Sequence, residues 1–427
     1  MNLKELQKKY NLSDLELFSQ DTATHKISFS ANKIKQAEST YTSGNSIRLI
    51  KDKKIGFSAN FGNFDLDTIV SRAVQASVFS PTTSIEFPGK LQKLEDIQSN
   101  NNDSLSTFAE NGKEIIEEIL CQAPNVLADI TFETNHINEK IENTKDLIYS
   151  NSKKIYSFSI NIKETLENDF FDIFTAVVDD KLPNWATVSN ELVNFYKLSK
   201  KSAKIKNGSF PIIFTSKAAK ELLDIVELAL NGKQVVQESS PWHNLLGKQV
   251  LSKLLTIKQD PSYGYLARAV DDEGCIIKPL TLINNGVLEN FYFDLVTASR
   301  DRSRPIPTGN GFKPSLTSQP EPALLNMITS IGSRSLNQII KDINYGLLID
   351  QTMGGLTTNI SGDMSVNVDI GFLIEKGRIV GRVKDTMVTG NIYTALSNIL
   401  ELSNDLKQQW SHIYNPDMLI DGLTITS

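Results

Sequence analysis

The sequence predicts an α+β protein of two domains, a mixed α/β N-terminal half followed by a mostly antiparallel β C-terminal half. With 427 residues, the chain exceeds what one ordinary hydrophobic core serves. In the N-terminal half the spacing of apolar residues switches repeatedly between the helical and the strand period, as it does where helices and strands share a layer. Beyond KAAKELLDIVELAL, Lys217–Leu230, short apolar runs joined by Gly-containing turns dominate, which is the signature of hairpins.

Taken in order, Leu3, Leu6, Leu15 and Leu17 among charged residues predict a helix from Leu3 to Phe18, with Ser13 as a local cap. HKISFSANKIKQAESTYT alternates. SIRLIKDKKIGFSAN sets Ile47, Leu49, Ile55 and Phe57 around a Lys-Asp-Lys-Lys turn, a hairpin pattern. DLDTIVSRAVQASVF, Asp65–Phe79, returns to helical spacing with Asp65 or Asp67 near its N-terminus, where an acid is favoured. Pro81 to Ser106 is rich in Pro, Ser, Asn and Thr and reads as an exposed connection. TFAENGKEIIEEILCQAPN is helical. VLADITFETNHINEKIEN, DLIYSNSKKIYSFSINIKE and DFFDIFTAVVDDK are strand-like, and LVNFYKLSKKSAKI closes the half as a helix. KNGS, Lys206–Ser209, turns into the apolar strand FPIIFT, which sets a boundary between domains 1–205 and 206–427. Hairpins follow at KPLTLINNGVLENFYFD and GFLIEKGRIVGRV, with one late helix at NIYTALSNILELSNDL.

Composition excludes several classes. The hydrophobic fraction of 40% and charged fraction of 22% are those of a globular protein. Lys+Arg of 44 against Asp+Glu of 50 leaves a net charge of −6 and no basic run to track a phosphate backbone, so nucleic acid is not an expected partner. The N-terminus has no apolar signal core, and no stretch approaches the ~18 apolar residues of a membrane span. Cys121 and Cys275 are far apart and form no C-x-x-C pair, which fits a reduced, cytoplasmic setting, a single disulfide being the alternative.

The stretch QESSPWHNLLGKQV, Gln237–Val250, contains one of four histidines and poses the question of a metal site, because Glu238 precedes His243 closely. Hydrolytic zinc takes about three His, Cys, Asp or Glu ligands and an open position for water. His243 is followed by Asn244, and Pro241 interrupts a helix just before it. His25 and His136 fall in N-terminal strand-like segments, and His412 in the polar stretch KQQWSHIYNP.

RLIKDKKIGFSAN, DDEGCIIKPLTLINNGVLENFYFD, TGN at Thr308–Asn310, YGLLIDQTMGG, NISGDMSVNVDIGFLIEKGRIV and VTGNIYTALSNI occur in the order in which such segments occur in the TldD/PmbA family, the modulator of DNA gyrase proteins. The chain resembles that family over nearly its whole length. The resemblance implies one of two subunit kinds. One carries H-E-x-x-x-H on a helix and a later cysteine that together hold zinc for peptide hydrolysis. The other, the PmbA or TldE kind, has the same fold without those ligands and pairs with the first. Here QESSPWHNLLGKQV stands in the place of the zinc helix without its second histidine or adjacent glutamate, and VKDTMVTGNIYTAL has no cysteine. The resemblance therefore implies a zinc-less PmbA/TldE-type subunit with no cofactor of its own, pairing with a zinc-bearing TldD-like subunit as a heterodimer, or self-associating when alone, to act on peptide substrates. Its alternatives are an independent metal-dependent peptidase with atypical ligands (Glu238, Asp271, Asp272 and Glu273), or a homodimeric peptide-binding protein.

Other candidates have plainer readings beside the functional one. Asp271, Asp272 and Glu273 suit acid/base or cation chemistry, or form a charged turn before a strand. Cys275 as a nucleophile needs a base to form thiolate, and a small buried thiol is the simpler reading. Ser239, Ser240 and His243 lack a G-x-S-x-G elbow. PTGNGF and TMGGLTTNISGD lack the order of a phosphate loop. Arg268, Arg300, Arg302 and Arg304 are able to bind a peptide carboxylate, or belong to a solvated basic loop. The expected peptide cleft comprises His243, Asp271, Asp272, Glu273, Arg300 and Asn310, with no catalytic or metal ligand among them. Phe291, Tyr292, Phe293 and Phe372 exceed what a small solvent-facing sheet needs, so their segments are expected to supply a dimer interface.

Overall fold

The computed structural model describes residues 2–63, 65–91, 105–167, 169–301, 303, 305–354, 359–408 and 410–427. Part of the connection after Pro81, Arg302, Arg304 and the middle of TMGGLTTNISGD lie outside the described residues.

The first helix, α1 (Leu3–Tyr10), is shorter than its leucines suggest. Asn2, not Ser13, caps it, in a reciprocal capping box with Glu5, and Asn11 ends it in the left-handed conformation (φ 51°), a conformation that asparagine tolerates and a helix cannot continue through. From Asp14 the period becomes two. Leu15 and Leu17 face one side of strand β1 (Asp14–Ser30), while Glu16 and Phe18 face the other. The alternating run after His25 is two strands: Ala31 and Asn32, both at positive φ, turn β1 into β2 (Lys33–Lys51). The Asn32 side chain fixes that turn by accepting from Ala128 N and donating to Val126 O. Asp52 and Lys53 (φ 50° and 58°) then join β2 to β3 (Lys54–Phe61), the paired positive φ values suited to a tight hairpin.

Helices α2 (Leu66–Ser77, capped by Asp65) and α3 (Leu105–Gln122) precede the long strands β4 (Leu127–Asn143), β5 (Ile148–Leu166) and β6 (Asp169–Asp179), followed by α4 (Trp185–Ser199). The strands form one antiparallel sheet in the order β3-β2-β1-β4-β5-β6. At one end, α1 and α2 close a small core on Leu15, Leu17, Ile47 and Leu49.

The remainder contains β7 (Gly208–Ser209), β8 (Ile212–Phe214), α5 (Ser216–Leu230), α6 (Gly232–Val236), β9 (Ile257–Gln259), β10 (Leu280–Asn284), β11 (Val287–Leu288), α7 (Leu295–Arg300), β12 (Gly311–Phe312), β13 (Glu321–Pro322) and β14 (Met327–Thr329). It continues with α8 (Leu336–Asp342), β15 (Tyr345–Met353), β16 (Asp363–Glu375), β17 (Arg378–Arg382), β18 (Met387–Asn391), α9 (Ile392–Ser397), β19 (Ile399–Leu402), β20 (Lys407–Gln408), β21 (Ile413–Asn415), β22 (Met418–Ile420) and β23 (Thr424–Thr426). One sheet runs β19-β22-β8-β15-β16-β18-β23-β7 with β17 on β16, and another runs β11-β10-β9-β14-β21-β20. Two pairs, β8 with β15 and β14 with β21, are parallel. The rest of these two sheets is antiparallel, and the whole is an α+β fold.

Helix α5 is amphipathic: its apolar face enters the core, while Lys217, Lys220, Glu221, Asp224 and Glu227 stay only partly buried on the other. Ala219, Leu222, Leu223 and Val226 are fully buried, and each leucine contributes about 1.5–3 kcal/mol of transfer free energy. The late helix is only six residues long; Ile399 and Leu402 pair with β22 instead, where both are buried. Phe291, Tyr292 and Phe293 pack into the core around α5, and Phe372 into a second core. They are at most 9% exposed, so they chiefly fill this chain's own interior, with Phe291 and Phe293 also backing a cleft beside α6. That second core joins the halves: α3, α4 and the inner face of β4–β6 meet Ile213, Leu348, Ile370 and Phe372.

Candidate functional site

The candidate residues separate into two places. Asp271, Asp272, Glu273 and Asn310 are buried; His243 and Arg300 line an open cleft.

The acidic turn is part of the interior. Asp271 accepts from the backbone N–H of Glu273 (3.0 Å), Cys275 (2.8 Å) and Gly311 (2.9 Å). Asp272 accepts from Lys313 N at 2.8 Å and pairs with Arg268 at 3.0 Å. The two segments DDEG and TGNGFK therefore dock on each other through carboxylate-to-backbone bonds. Asn310 donates to Gln259 Oε1 and Ala323 O and accepts from Thr308 Oγ1, which orders the same turn. Gly311 is required by close approach, because a Cβ there would lie 2.3 Å from Glu273 Oε2.

Two buried arginines tie this turn to the N-terminal sheet. Arg48 from β2 bonds Glu16 of β1 (3.1 Å) and Glu273 (2.5 Å), and stacks over Phe87 at 4.6 Å. Arg268 pairs with Glu139 of β4 at 3.3 Å as well as with Asp272. Burial pushes the Glu273 carboxyl up to about 7, against the pull of Arg48, and Asp294 adds to the rise. Burial likewise raises Glu16 and holds Lys313 down at about 8, with Arg48 repelling its charge. The arrangement is a largely paired polar wall between two layers of protein, and these carboxylates lie apart from the cleft beside α6. Cys275 sits beside it, and burial together with Asp271 and Glu273 drives its thiol far above the ordinary range, the opposite of what thiolate chemistry requires. Sequence reading missed Arg48, Glu16 and Glu139, because a charge alternating with Ile47 and Leu49 looks like the solvent face of a strand.

The cleft, ≈ 590 Å³, opens beside α6 and is lined by Glu238, His243, Phe291, Arg300, Asp301 and Ile306 among others. After α6 the chain forms turns, not a helix. Trp242 is buried against Tyr393 and holds His243 at the rim. The imidazole Nδ1 donates to Ser240 O at 2.8 Å, while Nε2 accepts from the Asn244 amide at 2.6 Å. Ser240 Oγ donates to Ala229 O and Ser239 Oγ to Gln234, so neither hydroxyl is engaged with His243. Exposed Leu246 (57%) and Ile306 (84%) border the opening.

Hydrolytic zinc does not fit these residues. Both ring nitrogens of His243 are occupied, and among the described residues no three His, Cys, Asp or Glu side chains converge as a metal site. The other histidines are elsewhere: His25 against Ser39, His136 against Ser152, and His412 against Glu227.

The fold and this cleft define an α+β protein with an open groove beside α6, and comparison with known proteins makes the class specific. Residues 207–427 match the PmbA/TldA metallopeptidase C-terminal domain, and residues 15–77 match PmbA/TldA metallopeptidase domain 1. The chain belongs to the PmbA/TldD family. It is 29% identical over 232 residues to a metalloprotease TldD homolog of Buchnera aphidicola, the match covering 53% of this chain and 47% of that protein. It is 25% identical over 264 residues to metalloprotease PmbA of Escherichia coli O157:H7, covering 60% and 55%. The matches thus span about half the length of these curated relatives. In structure it is similar to TldE from Thermococcus kodakarensis, with a TM-score of 0.91 at 20% identity over 100% of this chain and 99% of that one, a likeness of fold.

Proposed function

We propose that this chain is a zinc-less, PmbA/TldE-type subunit that pairs with a zinc-bearing TldD-like subunit and forms part of the chamber in which peptides are hydrolysed. The observation that carries the reading is the donor set at His243: one imidazole with both nitrogens engaged, followed by Asn244 and flanked by turns, where hydrolysis needs about three ligands and a general base. Chemistry then comes from the partner, whose subunit holds the zinc. This chain contributes wall, shape and stability to the assembly.

The place for the partner or its substrate is the cleft beside α6. The apolar residues Leu246 and Ile306 stand exposed at its rim beside Glu238, His243 and Arg300, a mixture suited to an interface core with a polar surround. Phe291 and Phe293 form part of the cleft's wall but are nearly buried, so the exposed apolar surface comes mainly from these aliphatic side chains.

The test is a comparison of the purified chain with its mixture with a zinc-bearing family member. Metal analysis after dialysis is expected to find no stoichiometric zinc in the chain alone. Unfolded peptides are expected to be cleaved only by the mixture, with His243→Ala changing the rate little. One tightly held zinc per chain, or peptidase activity of the isolated chain abolished by His243→Ala, would overturn the reading.

A further inference from the structure

A second cavity, ≈ 550 Å³, lies on the other side of α5, between the edge strand β6 and strands β15 and β16. Its composition differs from that of the cleft. Phe174 and Trp410 form an aromatic wall, with ring centroids 6.2 Å apart and planes at 28°. Trp410 is 51% exposed and held at a φ of 41°, a conformation uncommon for a bulky residue. Opposite stand Asp172 and Asp369.

The cations around this cavity are already matched. Lys217 donates to Phe174 O, Asp350 Oδ2 and Gln351 Oε1, which uses all three of its protons. Lys220 pairs with Asp224, Lys163 with Asp129, and Arg382 with Asp169. Among the described residues, neither Asp172 nor Asp369 forms an ion pair. Burial raises both carboxyls above their ordinary value, and the charge of Asp172 raises Asp369 further. Asp369 accepts a hydrogen bond from Gln351 Nε2 at 2.6 Å and Asp172 one from Asn161, so the two half-buried carboxylates share one cavity with neutral amides, not cations, as their bonded partners.

From this geometry we infer a binding site for a guanidinium group: its plane lies against the Trp410 and Phe174 rings, and its N–H fork bonds Asp172 and Asp369. A planar cation satisfies each wall by a known interaction, stacking on the aromatic faces and charge-assisted hydrogen bonds to the carboxylates. An anion meets only matched lysines, and an apolar group leaves the acids with amide partners alone and no countercharge. The guanidinium is carried either by an arginine side chain of a peptide or by a free guanidino compound. The site is separate from the His243 cleft and does not depend on the function proposed for it.

Calorimetric titration of the full chain with N-acetyl-arginine amide tests the inference, with N-acetyl-citrulline amide as the neutral isostere. Saturable binding of the arginine probe alone is expected, weakened about tenfold or more by Asp172→Asn with Asp369→Asn. No saturable binding, equal binding of citrulline, or unchanged binding by the double variant would overturn it. Circular dichroism checks that the variant is folded. If it is not, Trp410→Ala at the exposed ring provides the same comparison, with unchanged affinity refuting the site. Agmatine and an arginine-containing pentapeptide, run in parallel, distinguish a free guanidino ligand from a peptide side chain.

Discussion

Replacing Arg48 by Met removes the guanidinium bonded to both Glu16 and Glu273 while keeping side-chain bulk over Phe87. Both carboxylates are 1% exposed. Breaking a buried pair from one side costs about 3–5 kcal/mol, because the remaining charge is left without compensation, and here two remain. The loss depends on pH. Burial already holds Glu273 up to about 7 and raises Glu16, with Arg48 as the main opposing influence on each, so both rise further without it. A carboxyl raised on folding is more protonated in the native than in the unfolded state between its unfolded value, about 4.3, and its folded one. Stability of Arg48→Met therefore falls as pH rises through that window, and the deficit relative to the parent chain is smaller at about pH 5 than at about pH 8. Urea unfolding followed by tryptophan fluorescence and by circular dichroism gives the comparison. Glu273→Gln in the Arg48→Met background should recover about 1–3 kcal/mol of coupling. A loss under about 1 kcal/mol that is flat with pH would refute a desolvated network, since such a value belongs to exposed pairs.

Three further outcomes follow from local geometry. Burial works to lower the His412 pKa, but Glu227, bonded to Nε2 at 2.9 and 3.0 Å, outweighs it and leaves the value raised; the pair's stabilisation is thus full below about 6.5 and lost as pH rises through the folded value. Thermal melts of His412→Ala should show a loss on the order of 1 kcal/mol at acidic pH that disappears in alkali, and a loss independent of pH would contradict the pairing. Gly311→Ala drives a methyl to 2.3 Å from Glu273 Oε2, and a cost of about 1–3 kcal/mol is expected in denaturant unfolding. Gly89→Ala, whose new Cβ meets only Lys145 O at 3.8 Å, should stay within about 0.5 kcal/mol, and equal losses at the two glycines would remove the steric argument.

Most elements were legible in the sequence where the pattern was local. Asp65 before a helical period, the Asp52-Lys53 turn and the Asn285-Gly286 turn act through their own backbone neighbours, so a few residues determine them. Boundaries failed where a cap or a pairing partner decided the matter. Asn11 stopped α1 before Leu15, and β22 drew Ile399 and Leu402 out of the late helix. Of the candidate site, the lack of an H-E-x-x-x-H pattern is a property of the sequence alone. The burial of Asp271, Asp272, Glu273 and Asn310 was not legible, because it depends on segments that pack on them from elsewhere.

The sequence by itself determined the α+β class, the alternation of helices and hairpins, and the absence of an H-E-x-x-x-H pattern around His243. Only the tertiary structure decided which charges face water. Glu16 and Arg48 alternate with leucines as solvent-facing residues do, yet a segment more than two hundred residues later closes over them and supplies Glu273 at 2.5 Å. Burial of a charge is a property of what packs against it, and neither period nor composition specifies the residues that arrive from the far side of the fold.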